Sequence, residues 1–181
     1  FEDCEFRGNR GYDGGAVLAY HNTLAFRRCV FVDNRGYGGG DGGAHDTGGG
    51  GAICVVGSYV ELVDSHFQDN VATDHPSLTV GTTGTHHGGA VMNIEGHIVA
   101  RNTSFVGGNA YQGGALYTWM WGKIVADGCS FVNNTAIGHT HNTGGAIFTD
   151  RGSAVLRNSL FEGNIANSSG GAIFAWSASG S

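Results

Sequence analysis

Histidine, carboxylate and aromatic side chains are the groups in this chain whose types and spacing bear on chemistry. Nine histidines occur among the 181 residues, and six of them (His45, His75, His86, His87, His139 and His141) fall in glycine-rich connecting stretches. Carboxylates sit beside two of them, in His45-Asp46 and Asp74-His75. If these stretches leave one edge of the fold, His45, Asp46, Asp74, His75, His86 and His87 offer donors suited to zinc or another borderline divalent cation. The spacings match no established metal signature, so solvated loop histidines are the competing reading and no cofactor is expected. The run Gly38-Gly39-Gly40-Asp41-Gly42-Gly43 lacks the second aspartate and the repetition of a calcium-binding nonapeptide. Cleaving a glycan needs two acids ~5–9 Å apart. Asp46, Asp69 and Asp74 are the nearest candidates, and no catalytic residue is expected.

Aromatic residues offer a different chemistry, contact with a partner protein or a sugar ring. Tyr117, Trp119 and Trp121 alternate along one apolar run, and an outward stripe of this kind is a candidate partner surface. A well-filled interior is the competing reading. Asn102-Thr103-Ser104, Asn133-Asn134-Thr135 and Asn167-Ser168-Ser169 are acceptor triplets for N-glycans in a eukaryotic secretory pathway, at Asn102, Asn133 and Asn167. Four cysteines do not amount to a small-domain disulfide framework. Cys4 and Cys29 fall on neighbouring repeats and could bond, but buried free thiols are the favoured reading.

The elements that position these groups follow from internal repetition. Gly-Gly-Ala plus an aliphatic residue occurs at 14–17, 50–53, 88–91, 113–116, 144–147 and 170–173. Phe-x-x-Asn starts at Phe6, Phe31, Phe67, Phe131 and Phe161, and a copy at Phe105 carries Gly108 in place of asparagine. From the first glycine to the next phenylalanine the spacing is 17, 17, 17, 18 and 17 residues; from phenylalanine to the next Gly-Gly-Ala it is 8, 19, 21, 8, 13 and 9. One half of the repeat is rigid and the other elastic, as in a solenoid whose coils keep register while loops at one corner grow freely.

Within the rigid half, small or apolar residues recur with the period of a strand. Two residues before each phenylalanine stand Cys4, Cys29, Ser65, Thr103, Cys129 and Ser159. Five before stand Phe26, Leu62, Ala100, Ala126 and Leu156, and seven before stand Leu24, Val60, Ile98, Ile124 and Ala154. The polar pairs between mark a corner, where alternating charges such as Glu2, Arg27, Asp3 and Arg28 predict a ladder of surface ion pairs. The fold class is therefore all-β: a parallel β-helix of about six coils, each of three short strands, right-handed because parallel crossovers prefer that hand. The phenylalanines should form one stacked interior column. Residues 1–181 read as a single segment without visible caps, a slice of a longer protein.

Composition narrows the partners. Glycine supplies 34 residues, against the ~7 % usual in proteins, and the net charge is −6 with one lysine, Lys123. Nucleic acid is thus not an expected partner, and no stretch approaches the ~18 apolar residues of a membrane-spanning helix.

The interleaved Gly-Gly-Ala-aliphatic and Phe-x-x-Asn motifs resemble the repeats of the chlamydial polymorphic outer-membrane proteins, and similar repeats occur in other extracellular parallel β-helix proteins of the pectate-lyase-like superfamily. That resemblance implies a surface-exposed autotransporter passenger acting in adhesion. The chain departs from it in carrying long His/Gly-rich insertions and no membrane barrel segment. The expectation is a non-enzymatic structural or adhesive rod of an extracellular or cell-surface protein. Its partners would be a protein or glycan surface, or its own copies stacked end to end into a filament. The alternative is a polysaccharide lyase or glycoside hydrolase. Recognition is expected at the corner formed by residues 35–49, 71–87 and 135–143, since binding residues favour loops on a rigid scaffold.

Overall fold

A computed structural model describes residues 1–38, 49–74, 86–138 and 143–177. The chain winds through four parallel sheets, and every ladder pairs a strand with its counterpart one coil away. Sheet I stacks Glu5–Arg7, Val30–Val32, His66–Gln68, Ser104–Val106, Ser130–Val132 and Leu160–Glu162. Sheet II stacks Arg10–Gly11, Arg35–Gly38, Val71–Asp74, Asn109–Ala110, Thr135–Ala136 and Ile165–Ala166. Sheet III stacks Val17–Tyr20, Ile53–Val56, Val91–Ile94, Leu116–Trp119, Ile147–Asp150 and Ile173–Trp176. Sheet IV stacks Thr23–Arg27, Tyr59–Val63, His97–Arg101, Lys123–Asp127 and Ser153–Arg157. This is a parallel β-solenoid of six coils among the described residues, and none of those residues forms a helix long and apolar enough to cross a membrane.

Five of the six coils have four strands among the described residues, rather than the three expected, and the last has three. The reason is local. Phe-x-x-Asn is itself a corner, because the residue before each asparagine position takes a left-handed backbone: Asp33 (φ 50°), Asp69 (φ 53°), Asn133 (φ 54°) and glycines 8, 107 and 163. Aspartate, asparagine and glycine tolerate that region best. A second left-handed column (Asp3, Arg28, Asp64, Asn102, Gly128 and Asn158) turns sheet IV into sheet I.

The phenylalanines form the expected interior column. Phe6, Phe31, Phe67, Phe105, Phe131 and Phe161 pair in register, with stacked rings 4.5, 4.5, 5.1, 4.9 and 4.7 Å apart. Beside them the asparagines form a ladder. Asn34 donates from Nδ2 to Asn70 Oδ1 (2.9 Å) and to the Phe6 carbonyl (2.9 Å), and Asn134 does the same with Asn164 and Phe105. Gly108 interrupts the ladder because a Cβ there would lie 2.3 Å from the Gly114 carbonyl oxygen; its own N–H still donates to Asn134 Oδ1 at 2.9 Å.

The column of Cys4, Cys29, Ser65, Thr103, Cys129 and Ser159 serves the other corner. Its hydroxyls and thiols reach back to the carbonyl two residues earlier, as in Ser65 Oγ to Val63 (2.9 Å) and Cys29 Sγ to Arg27 (3.4 Å). All four cysteines are free thiols, so Cys4 and Cys29 are not bonded.

The glycine pairs are required by contact between coils. A Cβ on Gly51 would stand 1.9 Å from the Gly89 carbonyl oxygen, and one on Gly89 would stand 2.0 Å from that of Gly114. Neighbouring coils therefore touch backbone to backbone at this edge. The following alanines fix the register, with Ala52 N donating to Ala90 O (3.0 Å) and Ala90 N to Ala115 O (2.9 Å).

Candidate functional site

Sheet III carries the chain's most unusual surface. Its inward residues, such as Ile53, Val55, Val91 and Leu116, join the main core. Strand alternation turns two further rows outward: Leu18, Cys54, Met92, Tyr117, Phe148, Phe174, and beside them Tyr20, Val56, Ile94, Trp119, Asp150, Trp176. In the middle coils this outer face is buried as a second apolar cluster of Cys54, Val56, Met92, Ile94, Tyr117 and Phe148. Burial pushes the Cys54 thiol up to about 12, so it stays protonated and unreactive.

Part of the cover is His86-His87. The His87 ring stacks on Tyr117 with centroids 4.1 Å apart, and the His86 carbonyl accepts the Tyr111 N–H at 2.8 Å. Both histidines are buried. Burial, reinforced by His86, pushes the His87 imidazole down to about 3, and its Nδ1 has no hydrogen-bond partner among the described residues. These two histidines are packing groups under the surface rather than solvated loop residues. His45, Asp46 and His75 lie outside the described residues, as does the side chain of Asp74, whose backbone ends a sheet II strand. Among the described residues no three metal-ligating groups come together.

The expected recognition corner is also narrower than its sequence bounds. Arg35–Gly38, Val71–Asp74 and Thr135–Ala136 are sheet II strands, and Thr143 is fully buried. Gly49, His86, His87 and Gly138 are buried as well and Ile137 is exposed, while 39–48, 75–85 and 139–142 lie outside the described residues. Asn102, Asn133 and Asn167 are all exposed.

The aromatic stripe changes membership. Tyr117 is 4 % exposed because His87 and Phe148 cover its ring, so it is not part of an outward stripe. Trp119 is half-buried, whereas Trp121 is 82 % exposed. Trp119 is in register with Asp150, and Asp150 with Trp176. Arg151 pairs with Asp150 (Nε to Oδ1, 3.4 Å), and its backbone bonds both tryptophan-bearing neighbours: Trp121 N donates to Arg151 O, and Arg151 N to Trp176 O, each at 2.8 Å. Sequence reasoning missed Asp150, Arg151 and Trp176. The signal for Asp150 and Trp176 was the column three residues beyond the aliphatic position, which holds Trp119, Asp150 and Trp176 on successive coils, with Arg151 next to it.

Two outward polar arrays complete the picture. Glu61 bridges Arg27 and Arg101, each at 2.8 Å, across the coil where Val63 interrupts the expected charge ladder. Arg28 binds Asp3 (2.7 Å) and Glu2. On sheet I, His66 Nδ1 lies 2.5 Å from Ser104 Oγ and its Nε2 3.3 Å from Gln68 Oε1, while Gln68 donates to Asp69 Oδ2 at 3.0 Å. With Nε2 as the donor to Gln68, Nδ1 accepts the Ser104 hydroxyl proton. Ser104 stands on an outward row of sheet I, in register with His66 and Ser130 of the neighbouring coils.

Residues 128–150 and 158–175 match the Chlamydia polymorphic membrane protein repeat. These stretches contain Phe131, Asn134, Gly144-Gly145-Ala146, Phe161, Asn164 and Gly170-Gly171-Ala172, the residues that stack rings, lace the corner and bring backbones into contact. No curated protein and no solved structure matches the chain.

Proposed function

We propose that this chain is a structural segment of a surface-exposed protein and that it serves adhesion by presenting side chains and variable stretches on a regular frame. The observation that carries this reading is the division of labour within each coil. Glycine backbone contacts, the asparagine ladder and the phenylalanine column commit the rigid half to packing, while the connections grow from 8 to 21 residues without disturbing register. The match of two stretches to a repeat named for a membrane protein of Chlamydia supports a place at a cell surface.

The test is retention of beads coated with the purified chain on epithelial cell monolayers under flow. A second chain has residues 39–48 and 76–85 cut toward the eight-residue spacing between Phe105 and Gly113. Parent-coated beads should be retained several-fold above albumin-coated beads, and the trimmed chain should keep its circular dichroism spectrum. Retention no greater than with albumin overturns the adhesive role.

A further inference from the structure

The rigid half of the repeat breaks its spacing once, and the break is one residue long. Between sheets III and IV the turn is two residues in four coils: His21-Asn22, Gly57-Ser58, Glu95-Gly96 and Arg151-Gly152. In the remaining one it is three, Met120-Trp121-Gly122, which accounts for the single spacing of 18. The longer turn carries two successive left-handed residues, Met120 (φ 52°) and Trp121 (φ 67°). L side chains other than Asn and Asp rarely adopt that conformation, and Trp121, 82 % exposed, recovers little packing in return. The shorter turns also begin on a left-handed residue (His21, Gly57, Glu95 and Arg151), and Trp121 N makes their seam bond, to Arg151 O, so the backbone belongs to the corner. What the corner does not require is a large apolar ring left in solvent, and that points to a use outside the fold.

What surrounds it indicates the use. The chain has three tryptophans, and Trp119, Trp121 and Trp176 all gather at this corner around the Asp150–Arg151 pair. Trp119 and Trp176 stand two coils apart in one outward row, about 10 Å at the ~4.8 Å strand spacing, with the Asp150 carboxylate between them. Aromatic faces flanking a carboxylate and a guanidinium match a pyranose, which presents C–H groups on its faces and hydroxyls at its edge. A lipid surface is disfavoured by the central ion pair, and an acidic glycan by the net charge of −6.

We infer that this corner binds the pyranose rings of a neutral glycan, with Trp121 and the Trp119–Trp176 row offering faces to the sugars and Arg151 and the exposed edge of Asp150 bonding the hydroxyls. The inference rests on the surface-presenting role proposed above and names the partner class.

Because all the tryptophans lie at the corner, intrinsic tryptophan fluorescence reports on it directly. The probes are methyl β-galactoside, N-acetyllactosamine and cellotriose, with sorbitol as the ringless control. At least one ring sugar should change the emission saturably and sorbitol should not. Trp121→Ala, at an exposed site, should keep the parent's circular dichroism spectrum while weakening binding ten-fold or more, and Asp150→Asn should weaken it several-fold. No saturable change with any of the three sugars, an equal change with sorbitol, or unchanged affinity in Trp121→Ala overturns the proposal. Bead retention separates this failure from that of the adhesive role. Beads coated with Trp121→Ala that are retained like the parent overturn the glycan site and leave adhesion standing. Retention that survives periodate oxidation of cell-surface glycans but not protease treatment assigns the corner to a protein and overturns the proposal.

Discussion

Replacing Gly89 by alanine isolates the backbone contact that sets the distance between coils. Gly89 is not in the left-handed region, so alanine meets no conformational penalty there; the whole cost is steric. The new Cβ would lie 2.0 Å from the Gly114 carbonyl oxygen and 2.6 Å from the Asn109 backbone nitrogen. Ordinary contact begins at 3.4 Å, so the coils must part by roughly 1.4 Å on one side. The bonds Gly88 N to Gln112 O (3.0 Å), Gly89 N to Gly113 O (3.1 Å) and Ala90 N to Ala115 O (2.9 Å) cross the same seam and would stretch beyond bonding range. Three lost bonds at ~1 kcal/mol each, with ~1–3 kcal/mol of overpacking, give about 4–6 kcal/mol. For a chain of this size that lowers Tm by ~8–24 °C, at ~2–4 °C per kcal/mol. Gly8→Ala is the control: φ is +65° but nothing lies within 4 Å of the added Cβ, so only the left-handed penalty of ~1–2 kcal/mol applies. Thermal melts followed at the β-sheet dichroism band compare the two. If Gly89→Ala melts within a few degrees of Gly8→Ala, coil spacing is not set by glycine contact.

Phe131 lies between Phe105 and Phe161 at 4.9 and 4.7 Å, fully buried, and Phe131→Ala should cost ~3–5 kcal/mol in a denaturant titration. His87 is held neutral by burial, with its folded value at about 3 against an ordinary 6.5. Its stability contribution is therefore complete above pH 6.5 and is lost as pH falls from there toward 3, by about 2 kcal/mol at pH 5. His87→Phe, which preserves the stack on Tyr117, should flatten the pH dependence of Tm across that window. Trp121→Gly relieves a left-handed tryptophan and should raise stability by ~1 kcal/mol, measured by the same melts, while abolishing the sugar response.

The phenylalanine column, the Cys/Ser/Thr column and the six-coil register were legible because the strand period and a fixed spacing both constrain them. The fourth strand was not, since one left-handed residue suffices to turn the chain, and that position holds Asp33, Asp69 and Asn133 in three coils and a single glycine in the other three, a mixed column without a consistent breaker. The outer face of sheet III was half legible. Apolarity on both sides of Ile53–Val56 shows that something covers it, but whether Tyr117 or Trp119 is covered depends on where His87 lands, a contact between residues far apart in sequence. Glu61 illustrates a second limit. Its partners Arg27 and Arg101 lie one coil to either side, in a different column of the repeat, so reading within a column finds neither.

The hydrogen bonds between coils all run along the axis of the stack, and this sets how the segment answers to force. Tension applied at its two ends loads the coils in series, so only the bonds of the outermost seam resist at any moment, and the stack yields by peeling one coil at a time. Phe6 and its partner Phe31 are 25 residues apart. A released coil therefore trades ~4.8 Å of folded height for roughly 80 Å of extended chain. Each peeling step dissipates work and lengthens the tether while the remaining coils keep their shape. A contact held at one end of such a stack is cushioned against a sudden pull, an attribute that follows from coil-by-coil packing and is independent of which surface the segment holds.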